Sequence, residues 1–141
     1  MGAYKNADHL YECIGGLFDV LGADPVIGQK LHDSSLIIRF SYTDPDAIIT
    51  VDCQNPGGGK LVEWHRGEAG LSAEVTMSMK SDVAHRFWLG KVILLEALTR
   101  RQIVAKGPIP KILKLLPVIK PAYAIYKELL EKKGYTEMLA G

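Results

Sequence analysis

Several kinds of chemistry are missing from these 141 residues. Only two cysteines are present, Cys13 and Cys53, and they have no metal-ligand or redox spacing. They read as small hydrophobes in a reducing compartment. The four histidines, His9, His32, His65 and His85, show no HExxH or related ligand spacing. No GxSxG nucleophile elbow occurs. Gly57-Gly58-Gly59-Lys60 lacks the first glycine of a phosphate loop, and Leu61 stands where Ser or Thr is needed. It reads as a loop between strands. No catalytic residue, metal site or cofactor is therefore assigned.

Targeting signals are equally sparse. No run reaches the ~18 apolar residues of a membrane span, and no apolar stretch opens the chain. Met1-Gly2 suggests myristoylation, but Asn6 replaces the required Ser or Thr. The end, Met138-Leu139-Ala140-Gly141, is not a peroxisomal address. These absences predict a soluble cytoplasmic protein.

What is present begins with size. The length predicts a single domain over 1–141, able to bury roughly two thirds of its unfolded surface. Composition is ordinary, with 48% hydrophobic and 23% charged residues and a net charge of +1. That excludes a disordered chain and a strongly basic nucleic-acid binder. The balance hides an asymmetry. Residues 1–99 hold 8 basic and 13 acidic side chains, whereas residues 100–141 hold 9 and 3. A basic, apolar C-terminal third suits an anionic membrane surface; the plain alternative is a solvated helix face.

Periodicity divides the chain. Leu10, Ile14, Leu17, Val20 and Leu21 recur at helical spacing, with Gly22 as a stop, and Asp24-Pro25 opens a second helix through Leu31, so residues 1–33 form an N-terminal helical segment. The period then becomes two. Leu36, Ile38, Phe40 and Tyr42 share one face, as do Ala47, Ile49, Val51 and Cys53, with turn chemistry at Asp44-Pro45-Asp46 between them. Leu61–Arg66 and Ala73–Lys80 follow as strands three and four, predicting an antiparallel meander with one buried face. Ser81 then caps a helix closed by Gly90, Val92–Thr99 is an apolar helix needing cover on every side, and Gln102–Ala105 is a fifth strand.

The stretch KGPIPKILKLLPVIKPAYAIYKELLEKK, Lys106 to Lys133, carries four prolines. On a helical wheel Ile112, Leu116, Ile119 and Tyr123 lie within one apolar half. Lys114, Lys120 and Lys127 lie mostly opposite, with Pro117 and Pro121. The expected form is a bent helix, split near Leu116, with the prolines facing water.

The order of these signals carries a resemblance. AEVTMSMKSDVAHRFWLGKVILLEALTRRQIVAKGPIPKILKLLP resembles the sterol carrier protein type two family: strand, capped helix, Gly90-Lys91, apolar helix with Ala97-Leu98, an Ile103–Gly107 strand and a C-terminal helix. IIRFSYTDPDAIITVDC resembles its first two strands, so the likeness spans about 35–120. Arg100-Arg101, where many members carry a Gly, and the proline-marked tail depart from the pattern.

The resemblance implies an α+β fold, a five-stranded mostly antiparallel sheet with helices on one face around an apolar tunnel. It implies a ligand such as a sterol, fatty acid, acyl-coenzyme A or phospholipid, and no catalysis. The candidate lining is Met77, Met79, Phe87, Trp88, Val92, Leu95, Leu98, Ile112, Leu116, Ile119 and Tyr123, with residues 110–133 as a helical lid. Arg86, Glu96, Arg100 and Arg101 read as solvated surface residues, with head-group contact at the mouth as the alternative. Expected partners are a lipid-like molecule and a transient anionic membrane. A different class of function stays open: a non-catalytic accessory or homodimerising subunit whose apolar helices dock a partner enzyme.

Overall fold

Five strands form one mixed sheet: β1 Ile37–Thr43, β2 Ala47–Asp52, β3 Glu63–Arg66, β4 Val75–Lys80 and β5 Ile103–Lys106, in the order β3-β2-β1-β4-β5. These are the features of a computed structural model, which describes residues 2–140. The readings that involve Met1 and Gly141 lie outside the described residues. The architecture is α+β, as expected. The meander is confined to β1–β3. β4 crosses to the other side of β1 and pairs with it in parallel, and the remaining pairs are antiparallel.

A parallel pair needs a crossover rather than a tight hairpin, and the outer sheet face anchors that crossover. Arg39 donates from Nη2 to the carbonyls of Glu68 (3.1 Å) and Leu71 (2.6 Å). The Thr50 hydroxyl donates to the Gly67 carbonyl at 2.6 Å. Thr50 is consequently fully buried, so the face expected to be open is partly covered by the loop.

The inner face keeps the predicted alternation. Ile38 pairs with Val51 and Val75, Phe40 with Ile49 and Met77, Tyr42 with Ala47 and Met79. Helices pack over this face. The first runs as α1 Ala7–Leu10, a π turn Tyr11–Gly15 and α2 Gly16–Ala23. Asn6 caps it by accepting from the His9 N–H at 2.9 Å. A Cβ on Gly15 would lie 2.2 Å from the Trp64 ring, so the missing side chain lets this helix lie against β3. Gly22 does not stop the helix; the break comes at Asp24, whose carboxylate accepts from Val26 and Ile27 and starts α3 Pro25–Asp33.

After the sheet come α4 Ser81–Trp88 and α5 Leu94–Thr99. Ser81 does not cap α4. Lys80 holds the cap position, and the Ser81 hydroxyl donates to the Pro45 carbonyl at 2.8 Å. α5 begins later than expected because Ile93 is extended. Nor is it covered all round: Leu94 and Ala97 are buried, while Ile93 is 67% and Leu95 58% exposed.

The proline-rich stretch forms three helices rather than one bent helix or a pair: α6 Ile109–Leu113, α7 Leu116–Ile119 and α8 Ala122–Lys132. Pro110 and Pro117 stand in first turns and Pro121 caps α8. A first-turn N–H has no partner inside the helix, so proline there loses nothing and its fixed φ favours the start. The prolines therefore punctuate the segment. No helix among the described residues is long and apolar enough to cross a membrane.

Gly107 ties β5 to the sheet. Its φ is +114°, and a Cβ would lie 2.2 Å from the Glu74 carbonyl oxygen. Gly107→Ala is expected to cost at least about 2 kcal/mol in urea unfolding. Gly58→Ala, also at positive φ but with nothing within 4 Å of its Cβ, costs only about 1 kcal/mol. Equal losses would contradict the close approach.

Candidate functional site

Between the inner sheet face and the helices lies an apolar cavity of about 70 Å³. The sheet supplies its floor through Ile38, Phe40, Tyr42, Val51, Met77, Met79 and Ile103. Phe18, Leu21 and Leu31 close one side from α2 and α3. Ala84, Phe87 and Trp88 of α4 and Leu94 of α5 close another. The roof is Ile112, Leu115, Leu116 and Ile119 of α6 and α7 with the link between them. α7 contains no fully buried residue, so the roof's middle piece is its least anchored part.

Seven of the eleven candidate residues lie in this lining: Met77, Met79, Phe87, Trp88, Ile112, Leu116 and Ile119. Four do not. Leu95 faces outward. Val92 and Leu98 are half-buried against the core outside the lining. Tyr123 sits behind Phe87, ring centroids 6.0 Å apart. Sequence reasoning missed Phe18, Leu31 and Leu115, because no local signal shows which helix the sheet will face. It also left Ile38, Phe40 and Tyr42 unassigned, although their shared face was legible in the period of two.

The site has little acid–base capacity. Cys53 and Tyr42 are its only titratable side chains. Burial pushes the Cys53 thiol up to about 12 and raises Tyr42 well above the ordinary tyrosine range. Both stay protonated at neutral pH, so neither is an activated nucleophile. No cluster able to hold a metal ion occurs among the described residues.

A separate buried polar chain clamps the end of the roof. The Tyr4 hydroxyl donates to Tyr126 Oη at 2.7 Å, which donates to His85 Nδ1 at 2.8 Å; His85 Nε2–H donates to the Met138 carbonyl at 2.8 Å. The carbonyl can only accept, which fixes this order of protons. The chain joins the N-terminal segment, α4, α8 and the 3-10 turn Thr136–Ala140.

The same arrangement of strands and helices occurs in solved structures. The sterol carrier protein domain 2 of Helicoverpa armigera superposes with a TM-score of 0.64 at 15% identity, over 82% of this chain and 88% of that one. Sterol Carrier Protein 2 from Yarrowia lipolytica, in its apo form, gives 0.58 at 14%, over 88% and 89%. The chain has the sterol carrier protein type two fold. A third example of this sterol-carrier fold, the UbiJ-SCP2 ubiquinone synthesis protein, gives 0.56 at 14% identity, over 77% and 87%. No protein-family model and no curated protein matches the sequence. At these identities the likeness is one of fold, and the side chains around the cavity are this chain's own.

Burial lowers both His9 and His85 below the ordinary 6.5. The folded chain thus prefers neutral imidazoles, and the unfolded chain takes up protons first as pH falls. Stability is full above about pH 6.5 and declines below it. The melting temperature is therefore expected to hold from pH 7.5 to 7 and to drop between pH 6.5 and 5. A flat profile over that range would contradict buried, neutral histidines.

Proposed function

We propose that this chain binds a lipid-like molecule in the apolar cavity and releases it at an anionic membrane surface, without catalysis. A single unit over 1–141 carries both steps, with residues 110–133 as the lid. The observation that carries the reading is the apolar cavity between the sheet and a roof segmented by prolines. Sterols, fatty acids, acyl-coenzyme A and phospholipids all have the required apolar part. The neighbours named as sterol carriers, and one named for ubiquinone synthesis, support this range.

The present volume is below the roughly 300–1,000 Å³ of occupied ligand sites, so binding requires the roof to lift. The gain is sufficient. About a dozen buried methylenes contribute about 0.8 kcal/mol each, on the order of 10 kcal/mol before the cost of association. The outer surface suits delivery. Lys114, Lys120 and Lys127 are exposed on the roof and its continuation, and none forms an ion pair among the described residues. Ile93 and Leu95 project beside Leu94, which lines the cavity. That exposed pair is also what favours a second reading, an accessory subunit docking a partner or a second copy.

Ala84 is the smallest side chain of the lining, so Ala84→Leu fills the space without charge. It is expected to weaken displacement of a fluorescent fatty acid at least tenfold while stability holds; unchanged affinity in a folded variant would remove the cavity from function. Replacing Lys114, Lys120 and Lys127 by Gln is expected to slow transfer to anionic vesicles at low salt, with equilibrium affinity nearly intact. Loss of both would make the lysines part of the fold or the ligand site. No change in either would return them to a solvated face.

A further inference from the structure

Ile93 is the most exposed large apolar side chain among the described residues, and Leu95 stands close to it in the chain and is also exposed. The pair sits on a fixed mount. Leu94, between them in sequence, lines the cavity, and Ala97 is buried one turn later. Gly90 opens the link before them at φ +81°, where a Cβ would lie 3.4 Å from the Tyr123 ring of α8. The link is thus packed at its start and anchored at its end, with two apolar side chains left in water.

The surroundings are basic. Residues 91–111 hold five basic side chains and one acidic. The acidic one, Glu96, is matched by Arg100, Oε1 to Nη2 at 3.5 Å. Lys91 and Arg101 are exposed and have no ion-pair partner among the described residues. α5 has only six residues, so its ends are about 9 Å apart. Charges at both ends therefore stand within about one Debye length of the apolar pair.

Arg101 is held in the left-handed region, at φ +59°. Its N–H donates to the Leu98 carbonyl at 3.2 Å, and the Gln102 N–H donates to the Ala97 carbonyl at 2.9 Å. A helix that closes this way favours glycine at the left-handed position, because glycine has no Cβ to clash. Here a charged side chain is kept where glycine would relieve the backbone.

We infer that residues 91–95 together with Arg101 form the element that enters an anionic membrane: Ile93 and Leu95 seat at the acyl boundary, and Lys91 and Arg101 meet the lipid phosphates. Two side chains are too few for a stable protein interface, which needs roughly 1,000 Å². A bilayer needs no complementary surface, and apolar insertion beside cations is how interfacial segments hold to it. The Leu94 wall of the cavity then lies next to the bilayer. This inference rests on the membrane-delivery reading above and gives it an entry point distinct from the roof lysines.

The test uses vesicles of phosphatidylglycerol and phosphatidylcholine in equal parts, and of phosphatidylcholine alone. The double variant Ile93→Ser, Leu95→Ser is expected to bind the anionic vesicles about tenfold more weakly than the wild type in co-sedimentation. Its melting temperature and its affinity for a fluorescent fatty acid are expected to stay unchanged. Arg101→Gly is expected to bind about fivefold more weakly while melting higher. Ile93→Trp is expected to retain binding, and its added indole to be quenched by brominated acyl chains beyond any change seen with the wild type. Equal binding by the wild type and the serine variant, or no added quenching of Ile93→Trp, would overturn the insertion and leave delivery through the roof lysines standing. Self-association that the serine variant loses, with no difference in vesicle binding, would make the pair a contact between copies and overturn it too. A wild type that binds neither kind of vesicle would remove membrane delivery itself, and the insertion with it.

Discussion

The parallel pairing of β1 with β4 is the constraint on which the rest depends. It sets Phe40 beside Met77 and Tyr42 beside Met79, making a broad apolar floor at the centre of the sheet. With antiparallel strands on either side, the floor runs from Val51 on β2 to Ile103 on β5. The crossover that permits this pairing is held on the far face by Arg39 and Thr50. A few polar contacts outside the sheet thus fix an apolar surface inside it.

The roof over that floor is built differently. Where one long amphipathic helix would seal the sheet by continuous packing, Pro110, Pro117 and Pro121 restart the chain three times. Short helices hold mainly by tertiary contact. α7 contributes half-buried side chains to the cavity and none to the fully buried core. α8, by contrast, is fixed through Tyr126 to His85 and Tyr4. One end of the segment is clamped through this polar chain, and the other meets the domain through apolar side chains of the cavity.

Much of this was legible in the sequence, and the limits follow from what local patterns contain. The period of two over Ile38, Phe40 and Tyr42 revealed the floor, and the wheel placed Ile112, Leu116 and Ile119 on the inner side. Pattern could not tell that β4 would join the far side of β1, because strand order is set by long-range packing and not by alternation. The wheel also put Tyr123 on the same apolar half, but an inward face does not say which neighbour a residue meets, and Tyr123 packs against Phe87 outside the lining. Leu95 misled for a related reason. VILLEAL is apolar all round, which reads as a helix needing full cover, yet only Leu94 and Ala97 are buried. The sterol-carrier likeness, carried by the order of loose motifs, was readable although this chain shares only 15% identity with the Helicoverpa domain and 14% with the Yarrowia protein.

The central claim is that the apolar cavity exists to hold a ligand. Native mass spectrometry of the full chain, purified without detergent, tests it most directly, before and after organic extraction and re-addition of mixed lipids. The account predicts a bound species of lipid mass that is lost on extraction, regained on re-addition, and absent from the Ala84→Leu protein. A chain that stays at its bare polypeptide mass through re-addition, while remaining folded, would contradict it.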